Sequence, residues 1–507
     1  MLPRLSSGLA PRLRGFFLDH DYTPGGVHAL LGAQAHAALS RGEPEAAFRA
    51  TRGAGELGVI VRLLLLGGAE PEPAVAAALG HPSDLVAAGL LRETPDGLVA
   101  ALDVRPYGDD AGSDSDPYED AWWVVSDLET PAVRQQRDHV TGAGGASVTL
   151  AAATVRRRVT GLLDLGTGCG IQALHASRHA GVVVATDVAP RALAMAAATF
   201  ALSDVDVELL AGQWLEPVAD REFDQIVSNP PFVPGPARVD YIYRDSGQAG
   251  DAALAALLRK LPSVLVPGGF AQLLGSWLHV LGENWPDRVC EWLPPGCDAW
   301  ILQREVVDPA MHVGTWQRDA GLDLDSPQAR AQASHWMDWM ERERVEGIGF
   351  GHILLRRTDA APTVVVEDLP GELADPLGGE AAGWLDRVEW LRAHSSDEAL
   401  LAARLALSPT AVLERYSTPG TEGGWADAGA ALVRGDGPRW RHEVDEPAAA
   451  LLAGCRGELP LSELIALVSL GHDRPHDAVV AAALPAVREL VRHGVLLPVD
   501  GWPAVSA

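Results

Sequence analysis

Two short stretches gather the residues best suited to chemistry. Leu162-Leu163-Asp164-Leu165-Gly166-Thr167-Gly168-Cys169-Gly170 sets three alternating glycines behind an apolar run, and Ile226-Val227-Ser228-Asn229-Pro230-Pro231-Phe232 ends a second apolar run in an amide followed by two prolines. A glycine turn lets backbone N–H groups approach a ligand closely and points the following helix at it. The register is Asp-x-Gly-x-Gly-x-Gly, not the Gly-x-Gly-x-x-Gly of dinucleotide sites. Asp187 closes the next apolar run, where a carboxylate can accept two hydrogen bonds from a ribose diol. Taken alone, the glycine turn and Asp187 leave a nicotinamide cofactor and S-adenosylmethionine both open.

The elements that must position these residues form an alternating series. Leu162 to Gly170 opens it, and the strand Val182 to Asp187 leads into a helix from Pro190 to Leu202. Val205 to Leu210 leads into the turn Ala211-Gly212-Gln213-Trp214. Phe223 to Ser228 is followed by a helix from Asp251 to Leu265 and a strand from Gly269 to Gly275. Strands alternating with helices at this pitch predict an α/β fold with a Rossmann-like, doubly wound parallel sheet and ligands at the carboxyl ends of its strands. Ala299 to Val307 and Ile348 to Arg356 are later strands suited to finish the sheet, with antiparallel pairing admissible at that edge. The small-residue loop Asp138 to Leu150 feeds a helix from Thr149 to Arg158 and is placed to contribute to the cofactor pocket.

The flanks read differently. Residues 1–120 are expected to form a mainly helical N-terminal substrate or lid domain, because Pro24 to Leu79 is rich in alanine and leucine at helical spacing. A helix from Asp84 then enters a hairpin at Pro95-Asp96-Gly97, as in a winged helix or in a helical cap with a β-ribbon. Gly108 to Asp120 is an acidic, solvated loop rather than a metal site. Trp122 to Val125 is a strand at the start of the catalytic domain, 121–360. Residues 361–381 read as a linker rich in Pro, Gly and acidic residues. Residues 382–507 are expected to form a C-terminal helical, winged-helix-like domain, with helices at Pro447 to Ala453, Leu461 to Ser469 and Ala478 to His493. Seven of the 15 tryptophans, Trp277, Trp285, Trp292, Trp300, Trp316, Trp336 and Trp339, fall in one stretch and are read as core packing.

Composition narrows the classes. Lys plus Arg number 40 against 68 Asp plus Glu, a net charge of -28 that opposes broad docking onto phosphate backbones. RNA is therefore disfavoured as a partner. Four cysteines, Cys169, Cys290, Cys297 and Cys455, are too irregularly spaced for a disulfide framework or a zinc site, and no metal is expected. No apolar run is long enough for a membrane span or a signal peptide, so a cytoplasmic protein without a membrane partner is expected.

The Asn229 stretch decides between the two cofactors. With Asp164, Gly166, Gly168 and Asp187, the run Ser228-Asn229-Pro230-Pro231-Phe232-Val233-Pro234 resembles the class I S-adenosylmethionine-dependent methyltransferases, and within them the "methyltransferase small" group and the release-factor glutamine methyltransferases. The resemblance covers about Thr141 to Gly275. It implies that Asp164, Gly166, Thr167 and Gly168 contact the methionine part of S-adenosylmethionine, that Asp187 binds the ribose and that Val188 flanks the adenine. Gln213 and Trp214 stand where the family often has an acidic residue reaching the adenine amine. Asn229, Pro230, Pro231 and Phe232 are the implied catalytic set.

The chemistry of that set follows from its residue types. A planar nitrogen has a delocalised lone pair, so it must be aimed at the methyl while acceptors hold its N–H groups. The Asn229 side-chain oxygen and the Pro230 carbonyl supply two acceptors, proline fixes them, and the Phe232 ring can stack on the planar group. Positioning of this kind can supply roughly 7 to 11 kcal/mol of a barrier. In the loop Tyr241-Ile242-Tyr243-Arg244-Asp245, Tyr243 and Arg244 are candidate substrate contacts, and Arg244 pairs either with Asp245 or with substrate. The leading expectation is N-methylation of a glutamine-type amide in a protein or peptide. The alternatives are adenine or guanine of ribosomal or transfer RNA, a small metabolite or peptide natural product methylated on nitrogen or oxygen, and an inactive scaffold.

Overall fold

The computed structural model describes residues 2–108, 121–129, 133, 136–231, 233–237, 240–242, 245–369, 376–421 and 423–500. By its contacts the chain divides into two compact units, one of residues 1–151 and 158–368, the other of 152–157 and 369–507.

The first unit is built on an eight-stranded sheet. Its strands are β1 (Val159–Leu165), β2 (Ala180–Asp187), β3 (Glu208–Ala211), β4 (Phe223–Ser228), β5 (Leu265–Val280), β6 (Cys297–Val307), β7 (Val345–Arg357) and β8 (Val364–Asp368). They lie side by side in the order β8-β6-β7-β5-β4-β1-β2-β3. Neighbours from β5 to β3 run parallel, β7 inserts antiparallel between β5 and β6, and β8 runs parallel to β6. The order reverses between β1 and β4, the crevice where open α/β sheets bind ligands.

The near-continuous apolar runs of these strands are explained by burial on both faces. Successive side chains of a strand point to opposite faces. In β1, Leu162 joins one core with Val183, Ala185 and Val227, whereas Leu163 and Leu165 join the other with Val184 and Ile226. The first core also takes in Phe17, Tyr22, Leu63 and Trp123, so the N-terminal helices share it with the helix Pro190–Ser203. Two antiparallel ribbons lie in this region, Leu91–Thr94 with Gly97–Ala100 and Asp103–Tyr107 with Trp122–Ser126. The free edge of Trp122–Ser126 is closed by side chains of the neighbouring helix, since Trp123 N donates to Ser203 Oγ (3.0 Å) and Val125 N to Thr199 Oγ1 (2.9 Å).

Several boundaries differ from the sequence reading for local reasons. The helix expected at Thr149 to Arg158 instead spans Gly145–Ala153, so its start lies within the glycine loop. The stretch read as a linker opens with β8, whose Val364, Val365 and Val366 pair with Ala299, Trp300 and Ile301 of β6, and whose Glu367 pairs with Leu302; β-branched side chains favour the pleated edge. Residues 370–375 lie outside the described residues.

The second unit contains helices Gly378–Ala393, Glu446–Gly454, Leu461–Gly471 and His476–Arg492. It also carries two three-stranded sheets, one of which, formed by Ala411–Pro419, Trp425–Arg434 and Arg441–Val444, the sequence reading left wholly unassigned. Its buried Glu380 is bonded to both Arg387 and Arg434, and Arg434 also pairs with Asp436 at 2.8 Å. No helix of the described residues is long and apolar enough to cross a membrane.

Candidate active site

The carboxyl ends of β1, β2 and β4 surround a cavity of about 380 Å³. Its floor is the glycine turn. Gly166 and Gly168 take φ of 76° and 57°, a region closed to most side chains, and a Cβ on either would meet nothing within 4 Å. Backbone geometry is therefore what requires these two glycines. Gly170 adds a packing reason, since a Cβ there would come within 2.6 Å of the Phe200 ring.

Two carboxylates brace the turn. Asp164 is buried beneath it, and its Oδ2 accepts from Thr167 Oγ1 (2.6 Å) and from Ala173 N (3.1 Å). Its Oδ1 is buried and receives no hydrogen bond from any described residue. Burial pushes the Asp164 carboxyl up to about 7, against the lowering effect of those two donors. Asp187 accepts from Gly168 N (3.0 Å) and from Ala189 N (2.8 Å). Burial also raises its pKa, with the N–H groups of Ala189 and Gly168 opposing the shift. Asp187 thus straps the glycine turn to the end of the neighbouring strand, a role the sequence reading did not assign to it. The N–H groups of Gly166 and Thr167 complete the strap by donating to the Thr186 carbonyl (3.0 and 2.9 Å).

The other residues singled out in the sequence fall as follows. Val188 lines the cavity with its side chain 55% exposed, an apolar surface open to a planar ring. Gln213 and Trp214 line it from the turn after β3, and Trp214 holds an unusual left-handed φ of 50° for a bulky residue. Asn229, Pro230 and Pro231 line the opposite side. Ser228 Oγ donates to the Leu165 carbonyl at 2.7 Å, tying the end of β4 to that of β1. The Asn229 Oδ1 atom is buried and accepts no hydrogen bond from any described residue. Phe232, Tyr243 and Arg244 lie outside the described residues. Asp245 does line the cavity, and its Oδ2 accepts from the N–H groups of Asp240 and Tyr241, both at 2.8 Å. None of the seven clustered tryptophans is among the described lining residues, and Trp277, Trp292, Trp300, Trp336 and Trp339 are buried in the core.

The loop before the glycine helix contributes Asp138, His139, Val140, Thr141 and Ser147. Asp127, which the sequence did not mark, holds it in place: its Oδ2 accepts from Val140 N (2.9 Å), and Arg191 at the start of helix Pro190–Ser203 bonds both of its oxygens. No sequence pattern reveals this clamp, because its partners lie far apart along the chain. Asp138, Asp187 and Asp245 are acidic, and among the described lining residues there is no Lys or Arg. The site therefore suits a cation and resists a phosphate. Cys169 also lines it, but burial raises its thiol to about 12, which leaves it protonated and inert as a nucleophile.

The chain is similar to known proteins over part of its length. Residues 144–264 match the methyltransferase small domain, while residues 19–101 and 382–498 match two domains of unknown function, DUF7059 and DUF7782. The release factor glutamine methyltransferase of Deinococcus radiodurans is 32% identical over 222 residues, which cover 38% of this chain and 78% of that protein. The ribosomal protein uL3 glutamine methyltransferase of Bradyrhizobium diazoefficiens is 31% identical over 169 residues, 31% of this chain and 52% of that protein, so the chain spans about half the length of that relative. A methyltransferase from Pyrococcus furiosus of known structure aligns with a TM-score of 0.25 and 17% identity, covering 42% of this chain and 81% of that one.

Proposed function

Because the chain belongs to the family of the release factor glutamine methyltransferases and is a methyltransferase that depends on S-adenosylmethionine, we propose that it N-methylates a planar amide nitrogen, the side chain of a glutamine in a protein or peptide. The observation that carries this reading is the buried Asn229 Oδ1, an acceptor without a donor among the described residues, in the wall that faces the glycine turn. A buried amide oxygen left without a donor costs free energy, and a substrate N–H brought to it removes that cost.

The residues present fit the cofactor. The acidic lining suits its positive charge, Asp187 is assigned to the ribose diol, Val188 offers an apolar face to adenine, and Asp164 keeps a spare buried oxygen beneath the turn. When bound, S-adenosylmethionine supplies an electrophilic methyl group. The chain itself does the positioning. Asn229 Oδ1 accepts one N–H of the substrate amide and the Pro230 carbonyl accepts the other. Pro230 and Pro231 hold those acceptors still, so that orientation is fixed before reaction rather than found during it. No general base is required, since the nitrogen loses its proton to solvent after methylation. A protein substrate fits the net charge of -28 better than RNA does.

The test is transfer of labelled methyl from S-adenosylmethionine into a fractionated lysate of a bacterium lacking this protein, beside an Asn229→Ala control. Label is expected in protein, on glutamine by mass spectrometry, and the control is expected to lose about 10²- to 10³-fold in rate, the cost of removing one fixed hydrogen-bonding group at a reacting centre. Label in RNA, or protein label that survives the control, would overturn the proposal.

A further inference from the structure

We infer that the C-terminal unit carries a metal site of the zinc type, formed by His442, Glu489 and His493. This site is independent of the methyl-transfer reading. His442 stands on the strand Arg441–Val444, Glu489 in the last turn of helix His476–Arg492, and His493 at the cap of that helix. A spacing of four residues puts Glu489 and His493 on one helix face. One donor atom from each of the three residues lies within 4.8 Å of the others.

The imidazoles meet nitrogen to nitrogen, with His493 Nδ1 3.0 Å from His442 Nε2. Two imidazole nitrogens bound tetrahedrally to one zinc stand about 3.3 Å apart. This contact is a hydrogen bond, so an ion would take the place of the proton between the rings, which would part slightly and turn to aim both lone pairs at it. Two histidines and one carboxylate make a donor set that suits zinc and leaves a fourth position for water.

The surroundings hold the donors as a metal site requires. The Trp440 ring stacks on His493 with centroids 4.4 Å apart and planes 3° apart, which fixes the plane of the imidazole. Arg434 Nη1 donates to the His493 carbonyl at 3.0 Å and so pins the helix end. Its own charge is matched by Glu380 and Asp436, so no uncompensated cation faces the site from that side. Such outer partners orient metal ligands. His442 and Glu489 also form part of the wall of a cavity of about 440 Å³ in the same unit, whose other charged lining residues are Glu443, Asp445 and Arg474.

The experiment uses untagged full-length protein, stripped with a chelator and titrated with Zn²⁺ against a chromophoric competitor, with Co²⁺ as a second probe for its visible absorption. One equivalent is expected to bind. His442→Ala and His493→Ala are each expected to weaken binding by about 100-fold or more, at or beyond the roughly 10- to 100-fold typical of losing an outer partner. Glu489 is exposed, so Glu489→Gln remains decisive if a histidine variant fails to fold, and it is expected to weaken zinc and alter the Co²⁺ spectrum. Wild-type protein that takes up no zinc, or Glu489→Gln protein that binds it as tightly as wild type, overturns the assignment.

Discussion

Two cavities of this chain are close in size, about 380 and 440 Å³, yet they are built on different plans. At the sheet, the lining residues stand on strand ends and turns, Gly166, Gly168 and Gly212 among them, and two carboxylates brace the glycine turn. In the C-terminal unit the wall lies between helices, with Leu451 from helix Glu446–Gly454, Val479 and Val487 from helix His476–Arg492, and His442, Glu443, Asp445, Arg474 and Glu489 at its polar part. A wall of turns is set by backbone conformation, and a wall between helices by packing and charge. Damage should therefore take different forms in the two places.

The sharpest way to break this contrast is to remove a buried charge from the C-terminal unit. Glu380→Gln leaves Arg387 and Arg434 facing a neutral group in a buried setting and is expected to cost about 3–5 kcal/mol, read by denaturant unfolding of the full chain. A loss below about 1 kcal/mol would show that the unit is not held by this network. Smaller effects are expected at the sheet. Gly170→Ala should cost about 1–3 kcal/mol in thermal unfolding, because the new methyl runs into Phe200. Gly168→Ala meets no neighbour, so its cost should stay near the roughly 1–2 kcal/mol of a left-handed residue. Equal costs for the two would remove packing from the account of Gly170.

A pH dependence is expected at Asp164 as well. Its carboxyl is pushed up from an ordinary 3.8 to about 7, so the folded state holds a proton that the unfolded state gives up. That contribution to stability is complete at low pH and fades as the pH rises through about 7. A cationic ligand favours the ionised form instead. The affinity for S-adenosylmethionine is therefore expected to rise several-fold from about pH 6 to about pH 8, with protons released to buffer in calorimetry. Asp164→Asn should abolish both, and a flat profile in the wild type would assign the carboxyl no part in binding.

How much could be read in advance follows the same division. Gly166, Gly168, Asp187, Asn229 and the two prolines were legible because a backbone turn is written by adjacent residues, and the alternation of strands and helices carried the sheet with it. The Asp127–Arg191 clamp was not, since ion pairs between distant segments leave no local pattern. The strand Val364–Asp368 was hidden by its neighbours: proline and acidic residues on either side outweighed three consecutive valines. Most of the second unit was opaque for a related reason. Its strand Ala411–Pro419 and the first half of Trp425–Arg434 are exposed on both faces and show no alternation to follow.

The acidic lining of the sheet cavity also bears on turnover. Donation of its methyl group converts the charged sulfonium of S-adenosylmethionine into a neutral thioether. On the proposed assignment, Asp138, Asp187 and Asp245 attract the fresh cofactor more strongly than the spent one. The site thereby favours exchange over product inhibition, a preference that added salt should erode as it screens the partly open cavity.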